Sequence, residues 1–227
     1  MALTQQSLGP NDDDWTGDGS NGTLLTNLLA TIGFRINFFG TTYTNLWVNN
    51  NGNVTFNNHL SDYIPKPLVN LNTNIIAPFW ADVDTRGANS GVTTYGTNTV
   101  DGHTAFGANW LNVGYYYYED DKLNSFQLVL INRSDRASGD FDLEFNYAKI
   151  QWEAGDFSGG TDGLGGSSAR AGYASTSGST YELNGSGTNS AFLDANLVTG
   201  LIYTNFNSTV PGRYMFQFHN GAPLGTP

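Results

Sequence analysis

From Phe34 onward the hydrophobic positions repeat every second residue. Phe34, Ile36 and Phe38 alternate with Arg35 and Asn37, which predicts a half-buried strand. Leu46-Trp47-Val48 runs into Asn49-Asn50-Asn51-Gly52, and Val54-Thr55-Phe56 follows; an Asn-Gly turn between β-rich runs predicts a hairpin. Residues 57–74, with Pro65 and Pro67, read as a loop. Ile75 to Ala81 is a continuous apolar run suited to a buried strand, with Pro78 demanding an edge position or a bulge. Further hairpins are expected from Val92–Tyr95 turning at Gly96-Thr97-Asn98, and from Tyr115–Tyr118 turning at Glu119–Lys122 into Phe126–Ile131. Asp101-Gly102 predicts a turn into a strand over Thr104–Val113. The clearest strand is Phe141, Leu143, Phe145 and Tyr147 alternating with Asp140, Asp142, Glu144 and Asn146, read as one buried and one wet face. Tyr214, Phe216 and Phe218 mark the last strand. No stretch sustains a 3.6-residue period; Leu24, Leu25, Leu28 and Leu29 have helical spacing only over a short stretch.

Many short strands separated by turn residues predict an all-β fold, an antiparallel β-sandwich with long loops and little helix. The pattern divides the chain into a lead-in segment packed on the domain (1–32), one sandwich domain (33–220) and a C-terminal tail (221–227).

Composition narrows the function. The 9 Lys+Arg against 20 Asp+Glu give a net charge of -11, which argues against a nucleic-acid or anionic-membrane partner, since phosphate neutralisation needs clustered cations. No apolar run approaches the roughly 20 residues that a helical membrane span requires. With 0 Cys, disulfides, thiolate metal sites and cysteine nucleophiles are excluded. The Asp-, Asn-, Gly- and Thr-rich, Lys-poor character is that of a secreted bacterial surface module. Met1-Ala2 leads into polar residues without an export signal, as expected of a processed or excised domain.

Candidate chemistry lies in carboxylates. Asp82 and Asp84 leave the apolar run at i and i+2, so a continuing strand would present both on one face. Two like charges there repel unless satisfied. Arg86 is one available partner; Ca²⁺, which takes six to eight hard oxygen ligands, is the other. Asp12, Asp13 and Asp14 form a second acidic knot, a capped turn in one reading and a contributor to the same Ca²⁺ site in the other. Gly159–Gly166 resembles one imperfect copy of a Ca²⁺-binding β-roll repeat; a single copy cannot stack, so a flexible glycine loop is the expectation. Tyr115–Tyr118 reads either as a platform for sugars or peptides or, since a strand turns two of the four inward, as core on one side and an ordinary surface tyrosine pair on the other. His59, His103 and His219 are scattered, and no hydrolase or nucleotide motif occurs. Glu144 and Glu153 are the carboxylate pair a glycosidase would need, but Glu144 falls on the polar face of its strand.

Several blocks in order carry a family resemblance: Phe38-Phe39-Gly40, Leu46–Phe56, Ile75–Arg86, Gly139–Tyr147 with Ile150-Gln151-Trp152, Ala169–Tyr173 and Gly212–Phe218. Together they resemble the nidogen-like (NIDO) extracellular domain, in the form carried by bacterial surface adhesins. The resemblance implies a non-enzymatic, extracellular or cell-surface module of a larger chain, associated with cell–matrix adhesion through a glycan or an extracellular protein. A non-binding structural module and an extracellular polysaccharide hydrolase are the alternatives. The resemblance assigns no binding residues.

Overall fold

The computed structural model describes residues 6–17 and 29–225. In chain order the strands are β1 (Gln6–Ser7), β2 (Ala30–Phe38), β3 (Thr41–Asn49), β4 (Asn53–Thr55), β5 (Ile75–Trp80), β6 (Val83–Asp84), β7 (Thr93–Val100) and β8 (His103–Tyr115). They continue with β9 (Glu119–Asn132), β10 (Phe141–Lys149), β11 (Gly160–Thr161), β12 (Leu164–Gly165), β13 (Arg170–Ala174), β14 (Thr180–Glu182), β15 (Arg213–His219) and β16 (Ala222–Leu224). Among the described residues the one helical element is a 3-10 turn at Leu68–Asn70. Leu24, Leu25 and Leu28 lie outside the described residues.

The strands form two main antiparallel sheets. One runs β1-β7-β8-β9-β10-β15-β16, with β6 also paired to β8; the other runs β14-β13-β5-β4-β3-β2. A buried aromatic core joins them. Phe79 on β5 lies 5.2 Å from Phe126 on β9, Trp110 on β8 stacks on Phe126 at 5.1 Å, and Trp152 meets Phe79 edge-on at 5.8 Å. The Tyr147 hydroxyl donates across the sandwich to the Pro78 carbonyl (2.6 Å). This is the expected all-β sandwich.

Local chemistry explains most of the elements. The Asn50-Asn51-Gly52 turn joins β3 to β4 as expected. Gly52 has φ +76°, and a Cβ there would lie 1.8 Å from the Phe79 carbonyl oxygen, so only glycine lets β5 close over the turn. Pro78 sits inside a central strand, opposite the register shift between Arg170 and Gly172 on β13, so the bulge accommodates its missing N–H.

Other expectations require correction. Gly96-Thr97-Asn98 is mid-strand in β7, because its ladder to β8 runs unbroken to the Asp101-Gly102 turn. The chain reverses at Tyr116–Tyr118, and β9 starts at Glu119, so Glu119–Lys122 is strand and, of the four tyrosines, Tyr115 is the one buried. The Gly159–Gly166 stretch folds as the β11–β12 hairpin. Part of the C-terminal tail is an edge strand, β16, formed by the Asn220-Gly221 turn.

The outer face of β10 is the largest correction. Phe141, Leu143, Phe145 and Tyr147 face the core as expected, but Asp140, Asp142 and Glu144 are not wet: they are 0%, 4% and 8% exposed. Long cationic side chains from neighbouring segments cover them. Arg133 Nη1 and Arg136 Nη2 donate to the two Asp142 oxygens at 2.8 and 2.7 Å. Arg213 lies 3.5 Å from Glu144, and His219 Nδ1 lies 2.5 Å from Asp140. The expected consequences are concrete. Phe145→Ala should cost roughly 3–5 kcal/mol as a core truncation. Asp142→Ala should also cost about 1.5–3 kcal/mol, because it removes two charge-assisted hydrogen bonds from a covered face. Urea titration measures both; a loss under about 0.5 kcal/mol for Asp142→Ala, the level of an ordinary surface change, would return that face to solvent.

Candidate functional site

Asp82 occupies the point where the chain leaves one sheet for the other. β5 ends at Trp80, and β6 begins at Val83 in the opposite sheet. Asp82 is therefore not in a continuing strand, and it is 1% exposed. The segment 11–16 lies across this crossover. Thr85 N–H donates to the Asn11 carbonyl (2.9 Å), Asn50 N–H to the Asp14 carbonyl (2.8 Å), and Thr16 N–H to the Val48 carbonyl (2.9 Å). The Trp15 ring stacks on His59 at 3.6 Å.

Three consecutive asparagines anchor the junction. The Asn49 amide bridges Asn53 and Thr55 and accepts from Leu60 N–H. Asn50 donates to the Val83 carbonyl (2.7 Å), and its own carbonyl accepts from Trp110 Nε1 (2.8 Å). Asn51 accepts from Val83 N–H (2.9 Å) and donates to Asp13 Oδ1 (2.6 Å). All three are at most 1% exposed, so each amide substitutes for water at a backbone group that would otherwise be orphaned. In the sequence this run carries turn chemistry alone; an Asn triplet flanked by apolar strands is the signal that marks it.

The carboxylates divide into two groups. Asp84, 0% exposed, is held by Arg86: Nε donates to Oδ1 at 2.8 Å and Nη2 to Oδ2 at 2.6 Å, while Tyr118 N–H donates to Oδ2 at 3.0 Å. Arg86 Nη2 also reaches Asp12 Oδ2 (2.9 Å). Asp82, by contrast, joins Asp12 and Asp13: one oxygen from each lies within 4.8 Å of the others. Asp14 contributes through its backbone carbonyl and lies outside that triad. Asp82 Oδ2 and Asp12 Oδ1 are buried atoms without a hydrogen-bond donor among the described residues. Burial first, then the neighbouring Asp12 and Asp13, pushes the Asp82 carboxyl up to about 8. Burial and Asp13 push Asp12 up to about 7, with Arg86 acting in the opposite direction. Burial also raises Asp13, against the hydrogen bond from Asn51.

An aromatic rim surrounds the junction. Tyr116 N–H donates to the Asp82 carbonyl (3.2 Å), and Asp156 N–H donates to the Tyr116 carbonyl (2.8 Å). The Arg86 guanidinium lies 4.2 Å from the Tyr118 ring centre, a cation–π contact that holds the turn. Phe157 packs on Tyr116 at 4.6 Å, and Tyr63 approaches Phe157 at 6.5 Å. Tyr117, Tyr118 and Phe157 remain 53%, 45% and 65% exposed.

The paired glutamates do not face one another as a glycosidase site. Both oxygens of Glu153 accept backbone N–H groups, from Ser190 (2.6 Å) and Phe192 (2.7 Å), and Glu144 sits on the outer face of β10 beside Arg213. A surface depression of about 430 Å³ over that face is lined by Arg133, Asp142, Glu144 and Arg213, whose charges pair with one another. Among the described residues no helix is long and apolar enough to cross a membrane.

A two-sheet antiparallel sandwich, closed by a lead segment over an asparagine and carboxylate junction, defines a non-helical module. The family model described as "Nidogen-like domain" (NIDO) matches residues 44–101 and 94–220, and the chain belongs to that family. It is 28% identical over 207 residues to nidogen of Drosophila melanogaster, covering 80% of this chain and 14% of that protein. It is 34% identical over 205 residues to alpha-tectorin of Mus musculus, covering 79% of this chain and 9% of that protein, with the same figures for alpha-tectorin of Homo sapiens. The chain thus spans a small part of the curated relatives it matches. No solved structure gives a significant match.

Proposed function

We propose that this chain is an extracellular, non-enzymatic module of a larger surface or matrix protein, and that it mediates adhesion by binding a glycan through the Tyr116–Tyr118 and Phe157 rim. The observation that carries this reading is the rim itself. Tyr117 and Tyr118 stay exposed on a turn contacted by Arg86, and Phe157 stays exposed on a second turn that packs on Tyr116; exposed aromatics on a rigid support are the usual anchors of recognition. Polar groups flank the turn: Asp120, two residues beyond Tyr118, accepts from Asn89 N–H, and Asp156 N–H donates to the Tyr116 carbonyl. Membership in the nidogen-like family supports the extracellular setting.

The test is a glycan array, run beside a panel of immobilised matrix proteins. Tyr117→Ala and Phe157→Ala are each expected to weaken a glycan hit by about tenfold, or about 1.4 kcal/mol, with the far-UV circular dichroism unchanged. Binding confined to the protein panel would transfer the rim to a protein partner. Absence of binding to either would leave a structural module of a larger chain.

A further inference from the structure

We propose that Asp12, Asp13 and Asp82 form a binding site for a hard divalent cation, Ca²⁺, which fastens the lead segment to the crossover between the two sheets. Three independent observations support it. The first is geometric. Ca²⁺ holds oxygens at about 2.3–2.6 Å, so two ligands on opposite sides of one ion are about 4.6–5.2 Å apart. The oxygens of Asp12, Asp13 and Asp82 all fall within 4.8 Å of one another, a spacing one ion can span.

The second observation is an unsatisfied atom. Asp82 is 1% exposed, yet its Oδ2 has no donor among the described residues, and neither has Asp12 Oδ1. A buried carboxylate oxygen without a donor is costly, and both of these belong to residues of the same triad. The Asp82 oxygen is closely framed: a Cβ on Gly155 would lie 2.5 Å from Oδ2, so glycine at that position keeps the carboxylate in place.

The third is charge. Arg86 is the cation nearest the triad, and its Nε and Nη2 are already committed to Asp84, with one further contact to Asp12. One guanidinium charge is therefore shared between Asp84 and Asp12, and Asp13 and Asp82 have no ion pair among the described residues. Ca²⁺ would neutralise two of the three charges and occupy the free lone pairs. Asp13 is oriented for this by the hydrogen bond from Asn51 to its Oδ1. Waters would complete the shell. Of the five acids that sequence reading offered, this assignment retains Asp12, Asp13 and Asp82, and places Asp84 with Arg86 and Asp14 in the backbone pairing of the segment.

The assignment does not rest on the glycan reading, and its test uses no glycan. The full chain is stripped with chelator and titrated with CaCl₂ by calorimetry, with melting followed in parallel. One-to-one binding is expected, with a Kd of about 10⁻⁴–10⁻³ M, as in weak extracellular modules. At a hundredfold excess over Kd the melting temperature should rise by about 5–10 °C. Asp82→Asn should abolish both the heat and the shift, and Asp13→Asn should weaken binding at least tenfold. Asp121→Asn, at an exposed acid paired with Lys122, should change neither. Asp82→Asn keeps the side chain's size and is neutral, so it is expected to fold; Asp13→Asn provides an independent test at a half-buried position. A chain that melts at the same temperature with chelator and with saturating CaCl₂ would overturn the proposal. So would Ca²⁺ binding that survives both substitutions, which would put the ion elsewhere.

Discussion

Asp84→Ala is expected to destabilise the protein by about 3–5 kcal/mol, the cost of breaking a buried ion pair from one side. Asp84 is 0% exposed and accepts from the Arg86 backbone N–H (2.9 Å), Arg86 Nε and Nη2, and Tyr118 N–H. Removing the carboxylate leaves the guanidinium with Asp12 alone beneath the Tyr118 ring and leaves the Tyr118 N–H unpaired. The melting temperature should fall by about 6–20 °C for a domain of this size. Arg86→Leu should cost a similar amount, because it leaves Asp84 charged and buried. The double variant should cost less than the sum of the two, since neither partner is then left alone. Urea titrations of the three variants measure the coupling. A loss below about 1 kcal/mol for Asp84→Ala, in the range of an exposed surface pair, would mean that this carboxylate is solvated and that Arg86 does not organise the junction.

This pair also marks where sequence reading reached its limit. Period-two alternation placed Phe141, Leu143, Phe145 and Tyr147, and likewise Tyr214, Phe216 and Phe218, on the core side, because burial of every second side chain is a local property of a strand. Alternation cannot report what covers the other face. Arg133 and Arg136 reach Asp142 from the β9–β10 connection and Arg213 reaches Glu144 from β15, so the polar residues of β10 have the pattern of a wet face while being buried under long side chains. The same limit governs the site. Two aspartates following Ile75–Ala81 signalled an unsolved charge problem, and Arg86 at i+2 was visible as one solution. The change of sheet at Asp82 was not visible, and it sends Asp82 and Asp84 to different partners. Nor could spacing reveal that Asp12 and Asp13 return to residues some seventy positions later, since no local pattern encodes that closure. The turns at Asn50–Gly52 and Asp101-Gly102 were legible because Gly supplies positive φ. The reversal at Tyr116–Tyr118 uses no glycine, and nothing in its composition distinguished it from strand.

The metal-free protein is expected to be most stable at about pH 4–5 and to lose stability as the pH rises toward 8. In the unfolded chain Asp82 and Asp12 ionise near 3.8, whereas in the folded chain their carboxyls are pushed up to about 8 and about 7. Between those limits the native state holds protons that the unfolded state has released. Their contribution is thus fully present below the unfolded value and is lost as the pH rises through the folded one. The slope is about 1.4 kcal/mol per pH unit for each group within its window. Glu153 and Asp194, both raised chiefly by burial, act in the same direction. The acid side has the opposite sign. Burial pushes Asp140 up, but His219 and the Asn220 N–H outweigh it and hold its carboxyl below the usual range. Its contribution is present above about 3.9 and is lost as the pH falls through the folded value, which closes the window from below. A net charge of -11 also makes the folded state less favourable as acids ionise, so the wild-type profile alone does not isolate the junction. Asp82→Asn does: it leaves the remaining charge almost unchanged and removes one of the two steep groups. Chemical denaturation of chelator-treated protein at pH 5 and pH 8 should give a clear loss at pH 8 for the wild type and a much smaller loss for Asp82→Asn. Saturating Ca²⁺ should flatten the wild-type profile toward that of the variant, because an ion in the triad replaces the protons that Asp82 and Asp12 otherwise need. Equal slopes for wild type and Asp82→Asn would show that the triad does not carry the pH dependence, and that Asp82 is ionised in the folded protein throughout this range.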